Sequence, residues 1–256
     1  MLRVFFAQLY LSVADFDFYS RVVWRPLSET LRFLLLLAAL VSVFLTLLFA
    51  WRWFPEAEHF VAWAEENIPP FEIRDGRLET AVEQPFMASY ERAGRVVSFV
   101  FDTTGAHPDP SGLREPVFLL AEERLFVRFE GRTDAYSWED FGSLVFQPGD
   151  LADYADVLKL VFFPVGYSFF LIYTLAAKAL TALILCPLAY SVGLVNGLRL
   201  GVANCFAIAL HSLVPAIAID LAVRMTTVTI SYFDLIYLAV AALYTFLATQ
   251  KTAVAD

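Results

Sequence analysis

"FLLLLAALVSVFLTLLFAW", residues 33–51, decides the fold class. It carries no charge and ends on a tryptophan. A bilayer's hydrocarbon core takes about 20 apolar residues of helix to cross, so the stretch predicts a membrane span. Composition agrees: 59% of residues are hydrophobic and 18% charged, whereas a soluble domain averages roughly 25% charged.

Outward from this stretch the charges are segregated. Residues 54–156 hold 21 acidic and 8 basic side chains, a net charge of −13, while 1–53 and 157–256 each hold 5 basic and 3 acidic ones. An acidic block repels phosphate backbones, and no zinc-finger or helix-turn-helix pattern is present, so nucleic acid is excluded as a partner. Arg3, Arg21, Arg25 and Arg32 precede the apolar run and only Arg52 follows closely. The positive-inside rule therefore predicts a cytoplasmic N-terminus, a first span over 33–53 and an acidic block, 54–156, outside. Residues 1–32 lack the small-residue cleavage pattern of a signal peptide, so the span reads as an uncleaved anchor.

In residues 1–32, Leu2, Phe5, Phe6, Leu9 and Val13 recur at the spacing of one helix face. This cytoplasmic amphipathic segment has two readings: a helix lying in the inner interface, or one docked on the protein's own helices. Pro26, with Ser28 and Glu29 after it, fits the start of the helix that becomes the first span.

From residue 157 the chain is apolar again. The run 157–190 reads as one long second span. Entry near Leu160 at about 1.5 Å per residue puts Lys178 roughly 27 Å deeper, where it snorkels to inner water. Residues 191–200, with Asn196 and Arg199, read as a cytoplasmic connection. Spans three and four follow at 201–223 and 231–250, joined by an outer loop, 224–230, and ending in a cytoplasmic tail, 251–256. Cutting a fifth span from 180–198 is the alternative, and it moves the C-terminus outside.

The block 54–156 opens with "PEAEHFVAWAEENIPP", a short helix continuing from the anchor and stopped by Pro69-Pro70. Then come turn-bounded runs: "FEIRDGRLE", a hairpin with Asp75-Gly76 at its turn, "PFMASYE", "VVSFVFDTT", "VFLLAEERLFVRFEG" and "RTDAYSW". The fold class is therefore an α+β membrane protein: a four-helix transmembrane region with a small antiparallel β domain between spans 1 and 2.

Within that domain, "VFDTTG" ends a strand on Asp-Thr-Thr-Gly, the way pepsin-like proteases present a catalytic carboxylate. That mechanism needs two carboxylates sharing a proton, and the chain has no second copy. Asp102 therefore reads as a strand terminus, with turn chemistry supplied by the threonines and Gly105.

In the spans, His211 and Asp220 invite attention because ionisable groups are costly in a bilayer. Nine residues apart, they fall on opposite helix faces, and Arg224 is the natural i,i+4 partner of Asp220. Asn196 and Asn204 read as helix caps or bridges. Cys186 and Cys205 are isolated, the three histidines at 59, 107 and 211 have no ligand spacing, and no phosphate-binding loop or nucleophile elbow appears. Neither a cofactor, a metal nor a catalytic constellation is expected.

The order of "FFAQLYLSVADFDFYSRVVWRPL", "IPPFEIRDGRL", "EQPFM", "VFDTTG", a long second span with a mid-run lysine and "LAYSVGLVNGLRLGVANCFAIALHSLVP" resembles the bacterial family called domain of unknown function 1189. The resemblance covers nearly the whole chain and implies a multi-pass protein of the bacterial plasma membrane. Some members are labelled maltodextrin-utilisation proteins, a label that defines no activity. The connection 191–200 departs from the family in carrying Arg199 alone where others carry several cations.

Three functional readings follow. The first is an accessory or sensor protein whose outer domain binds a ligand or partner, with a membrane-protein subunit or a second copy beside its helices. The second is a small transporter or channel component using Lys178, His211 and Asp220. The third is a membrane hydrolase using Asp102.

Overall fold

The computed structural model describes residues 2–92, 94–113, 116–226, 228 and 230–254. It is a mixed α+β structure that divides into two compact units: residues up to Ala50 with those from Phe162 on, and Trp51–Val161. Four of its helices are long and apolar enough to cross a membrane.

The helical unit begins with α1 (Leu2–Ala14) and α2 (Phe18–Val22). Pro26 immediately precedes α3 (Leu27–Asn67), as its preference for a helix start predicts. The helix runs on through Pro55 to the Pro69-Pro70 stop, so anchor and following helix are continuous. After the β domain come α4 (Leu151–Val195), α5 (Val202–Met225) and α6 (Phe233–Val254). α4 is unbroken through 180–195, leaving no turn from which a fifth span begins. It stops at a Schellman turn, where Gly197 takes φ +82° and the Leu198 N–H reaches the Gly193 carbonyl at 2.9 Å.

Helix α5 is the axis of this unit. Every residue from Cys205 to Ile217 is buried, the signature of a helix surrounded by others. Small residues allow the close approach: Ala207, Ala209 and Ala216 on α5 and Ala241 and Ala248 on α6 are all within 1% of complete burial.

The N-terminal segment docks on these helices. Phe5 joins the core of α3 and α5, and Phe18, Tyr19, Val22 and Val23 are buried against α5 and α6 residues. The face differs from the one the apolar spacing predicts: Phe6 and Val13 are exposed, and Ser12 is buried. Ser12 is tolerated inside because its hydroxyl donates to the Gln8 carbonyl at 2.7 Å, while its own carbonyl accepts from the Tyr19 hydroxyl at 2.8 Å.

The β domain lies in sequence between α3 and α4. One sheet has the order β2-β1-β8 and the other β3-β4-β5-β6-β7. β1 (Phe71–Arg74) and β2 (Arg77–Thr80) form the hairpin predicted from Asp75-Gly76, whose φ values of 50° and 73° suit a tight two-residue turn. β3 (Phe86–Arg92), β4 (Arg95–Asp102), β5 (Val117–Ala121), β6 (Arg124–Phe129) and β7 (Arg132–Ser137) follow the turn-bounded runs, and β8 (Leu144–Phe146) closes the smaller sheet.

One expectation is corrected here: the domain is not wholly antiparallel. β4 and β5 pair in parallel, Ser98 opposite Val117 through Asp102 opposite Ala121. A parallel pair needs a long return connection, and the segment 103–116 supplies it. The core of this unit is aromatic: Ile73, Leu78, Phe101 and Trp138 are buried with Ala64 and Ile68 of α3, and Phe99 stacks on Phe118 at 5.1 Å.

Candidate functional site

Asp102 sits where β4 gives way to the return connection, and its side chain is completely buried. One carboxylate oxygen accepts from the Thr104 N–H at 2.9 Å, the Thr104 hydroxyl at 2.7 Å and the Gly105 N–H at 3.1 Å. The other accepts from the His107 N–H at 2.5 Å and faces His107 Nδ1 at 2.9 Å. Burial pushes the carboxyl pKa up, but the bonds from Thr104 and His107 outweigh it and hold the group down at about 2. Both oxygens are thus committed to the connection.

The connection is pinned at further points. The Gln84 side-chain oxygen accepts from the Thr103 N–H, Asp109 accepts from the Ser111 N–H at 2.7 Å, and Arg128 donates to the Pro110 carbonyl at 2.8 Å. The bonds to Ser111 hold the exposed Asp109 carboxyl below its ordinary range.

What this framework presents is His107. Its side chain is 32% exposed, with Nδ1 turned to Asp102 and Nε2 without a hydrogen bond among the described residues. The ring borders an open cleft of about 400 Å³ whose other wall is the β5–β6 turn, with Glu122 and Glu123, and the start of β6, with Arg124 and Phe126. That turn is rigidly held: the carbonyls of Ala121, Glu122 and Glu123 accept from the Trp138 indole, the Leu78 N–H and the Trp138 N–H at 2.8, 2.8 and 3.1 Å. Sequence reasoning passed over His107 and Arg124. The available signal was a histidine five residues beyond a strand-ending aspartate, within reach of its carboxylate across one turn.

The polar residues of the helical unit do not join in one site. Lys178 donates to the Tyr237 hydroxyl at 3.1 Å and lies 4.5 Å from the centre of that ring. Tyr237 is near the start of α6, and Asp220 and Arg224, whose charges act on Lys178, are near the end of α5. Lys178 therefore lies beside the loop end of the α5–α6 hairpin, not at the opposite end where counting from Leu160 put it. The reason is that α4, at 45 residues, is far longer than α5 at 24 or α6 at 22.

Asp220 bonds Arg224 at 2.8 Å on the same helix. His211 is separate: its ring stacks on Phe33 at 4.1 Å, meets Phe18 edge-on at 5.6 Å, and donates from Nδ1 to the Ala207 carbonyl at 2.9 Å. Its Nε2 is buried without a hydrogen-bond partner among the described residues. Asn196 bonds the Val192 carbonyl at 2.7 Å within its own helix end, and Arg199 is exposed in the following turn. Asn204 is a bridge: its side-chain oxygen accepts from the Gly201 N–H at 3.0 Å and its amide donates to the Val23 carbonyl. Among the described residues no group of three or more histidine, cysteine, aspartate or glutamate side chains is placed to hold a metal ion.

A family model described as "Protein of unknown function (DUF1189)" matches residues 6–249. No curated protein and no solved structure matches the chain.

Proposed function

The chain belongs to the DUF1189 family, and from that footing we propose that it is an integral membrane accessory or sensor protein. Its helices sit in a bacterial plasma membrane with both termini cytoplasmic. Residues 54–156 lie outside and recognise a ligand or partner. A membrane-protein subunit or a second copy packs on the apolar helices.

The observation that carries this reading is His107, oriented by a buried, fully hydrogen-bonded carboxylate and presented to a cleft. Holding an imidazole in one orientation is preorganisation for contact. The test is purification of the full-length protein from its native membrane in mild detergent, alongside His107→Gln, with mass spectrometry of what is retained. A small molecule or subunit kept by the native chain and lost from the variant supports the reading; identical retained sets overturn it.

Lys178 favours the second reading, a transporter component. Its ammonium has no carboxylate within ion-pair distance among the described residues, since Asp220 is engaged by Arg224. Intramembrane charges of this kind mark solute pathways. Solute flux in proteoliposomes that is the same for native protein and Lys178→Met would remove it.

A further inference from the structure

We propose that the cleft beside His107 binds an organic oxyanion, a carboxylate or phosphate carried on a flat apolar body, with His107 and Arg124 meeting the charge. The inference rests on the reading of the β domain as a recognition domain and names the chemistry it recognises.

The polar groups of the cleft differ in what each has left to offer a ligand. Asp102 has both oxygens occupied. The Thr104 hydroxyl donates to Asp102 and faces the Ala106 N–H. Glu122 and Glu123 reach Arg77 at 3.4 and 3.9 Å. Two groups remain. Arg124 borders the cleft and makes no ion pair, and His107 Nε2 no hydrogen bond, among the described residues.

A guanidinium fork matches the two oxygens of a carboxylate or phosphate, which an ammonium does not. Nε2 donates to an oxyanion when it carries a proton, and Asp102 balances the charge that results. Phe126 provides an aromatic wall, which suits a flat hydrophobic body. The walls do not need to close for this: the turn that leads into Arg124 and the connection carrying His107 are each held by hydrogen bonds to their backbone.

The opposing consideration is the domain's net charge of −13 over residues 54–156, which favours cations at long range. Salt screens that field over about 8 Å at physiological ionic strength, and the two glutamates that line the cleft are drawn to Arg77, so the contacts of His107 and Arg124 decide. Cation against anion is therefore the discriminating experiment.

The full-length protein in detergent is labelled on its three histidine rings, and the His107 resonance is identified by its loss in His107→Gln. Four probes are titrated: benzoate, phenyl phosphate, benzyl alcohol and benzylamine, which place an oxyanion, a neutral hydroxyl or a cation on the same ring. Saturable shifts of the His107 resonance by benzoate or phenyl phosphate are expected, with binding of benzyl alcohol and benzylamine at least tenfold weaker. Comparing the two anions tells carboxylate from phosphate. Arg124→Gln should weaken the anions at least tenfold at an unchanged melting temperature, and Arg124→Lys should restore part of the loss.

Equal binding of benzyl alcohol, or stronger binding of benzylamine, overturns the oxyanion inference while leaving a ligand cleft. Undiminished anion binding by Arg124→Gln overturns the assignment of Arg124. No shift with any probe overturns the inference outright, and the domain's recognition role then stands or falls on the separate co-purification with His107→Gln.

Discussion

In the helical unit the buried hydroxyls of Ser42, Thr46, Thr245, Thr249 and Thr252 each donate to the carbonyl one turn back, at 2.6 to 2.9 Å. In the β unit the buried carboxylate of Asp102 instead accepts from three backbone N–H groups, a hydroxyl and an imidazole. The difference follows from what each backbone has to spare. An apolar helix uses its N–H groups in its own ladder and keeps only second lone pairs on its carbonyls, so it satisfies buried donors and not buried acceptors. A strand end followed by a turn leaves N–H groups unpaired, and there an acceptor with two oxygens fits. The exceptions obey the same rule. Asp220, an acceptor on a helix, brings Arg224 with it, and His211 is satisfied through the nitrogen that donates while the one that accepts has no partner among the described residues.

Removing the acceptor from the loop is the largest way to break this contrast. Asp102→Ala strips the partner from every one of those donors and should destabilise the β unit by about 3–5 kcal/mol, the range for breaking a buried charged pair. Urea unfolding followed through the fluorescence of buried Trp138 measures it. A loss under about 1 kcal/mol would mean that water replaces the carboxylate at no expense, and that the N–H groups are not its reason for being there.

Acid sharpens the same point with a smaller effect. The Asp102 carboxyl is held at about 2 when folded, against about 3.9 for an unfolded aspartate. A depressed folded value means a contribution present in full above the unfolded value and lost as pH falls. Stability should therefore decline by about 2 kcal/mol between about pH 4 and pH 2. The difference in unfolding free energy between native protein and Asp102→Asn, followed across that window, isolates the group, since asparagine does not titrate.

How much of this was legible in the sequence divides along the same line. Residues 33–51 announce a long apolar helix, and Asp75-Gly76 announces a hairpin, because both signals are local. The parallel pairing of β4 with β5 was not legible, since it depends on where a 14-residue connection returns. β8 was missed because three residues are too short a run to carry a period. Asp102 was readable as a strand end from the turn residues after it. His107 was in view but unassigned, because its role exists only once the turn brings its ring back to the carboxylate. Lys178 was misplaced in depth because counting along one helix says nothing of where its neighbours end.

His211 offers the converse substitution. His211→Phe removes one bond to a carbonyl and also removes the buried, unpartnered Nε2, while keeping a ring to stack on Phe33. The two terms oppose, so the melting temperature in detergent should correspond to a change within about 1 kcal/mol of native, of either sign. A loss as large as that of Asp102→Ala would show that Nε2 is bonded to a group outside the described residues.

The smallest effect is the most exacting check. Thr249 is fully buried on α6, and its hydroxyl donates to the Thr245 carbonyl at 2.8 Å. That carbonyl already accepts within the helix, so the hydroxyl adds a second, weaker bond and orphans nothing when removed. Thr249→Val keeps the shape, fills the same space with a methyl, and should change stability by no more than about 0.6 kcal/mol, the average for polar contacts between membrane helices. If it instead costs as much as a buried acceptor does in the β unit, the hydroxyl reaches a further acceptor across the α5–α6 seam, and the helical unit is held together by polar bonds as well as by the close approach of its alanines.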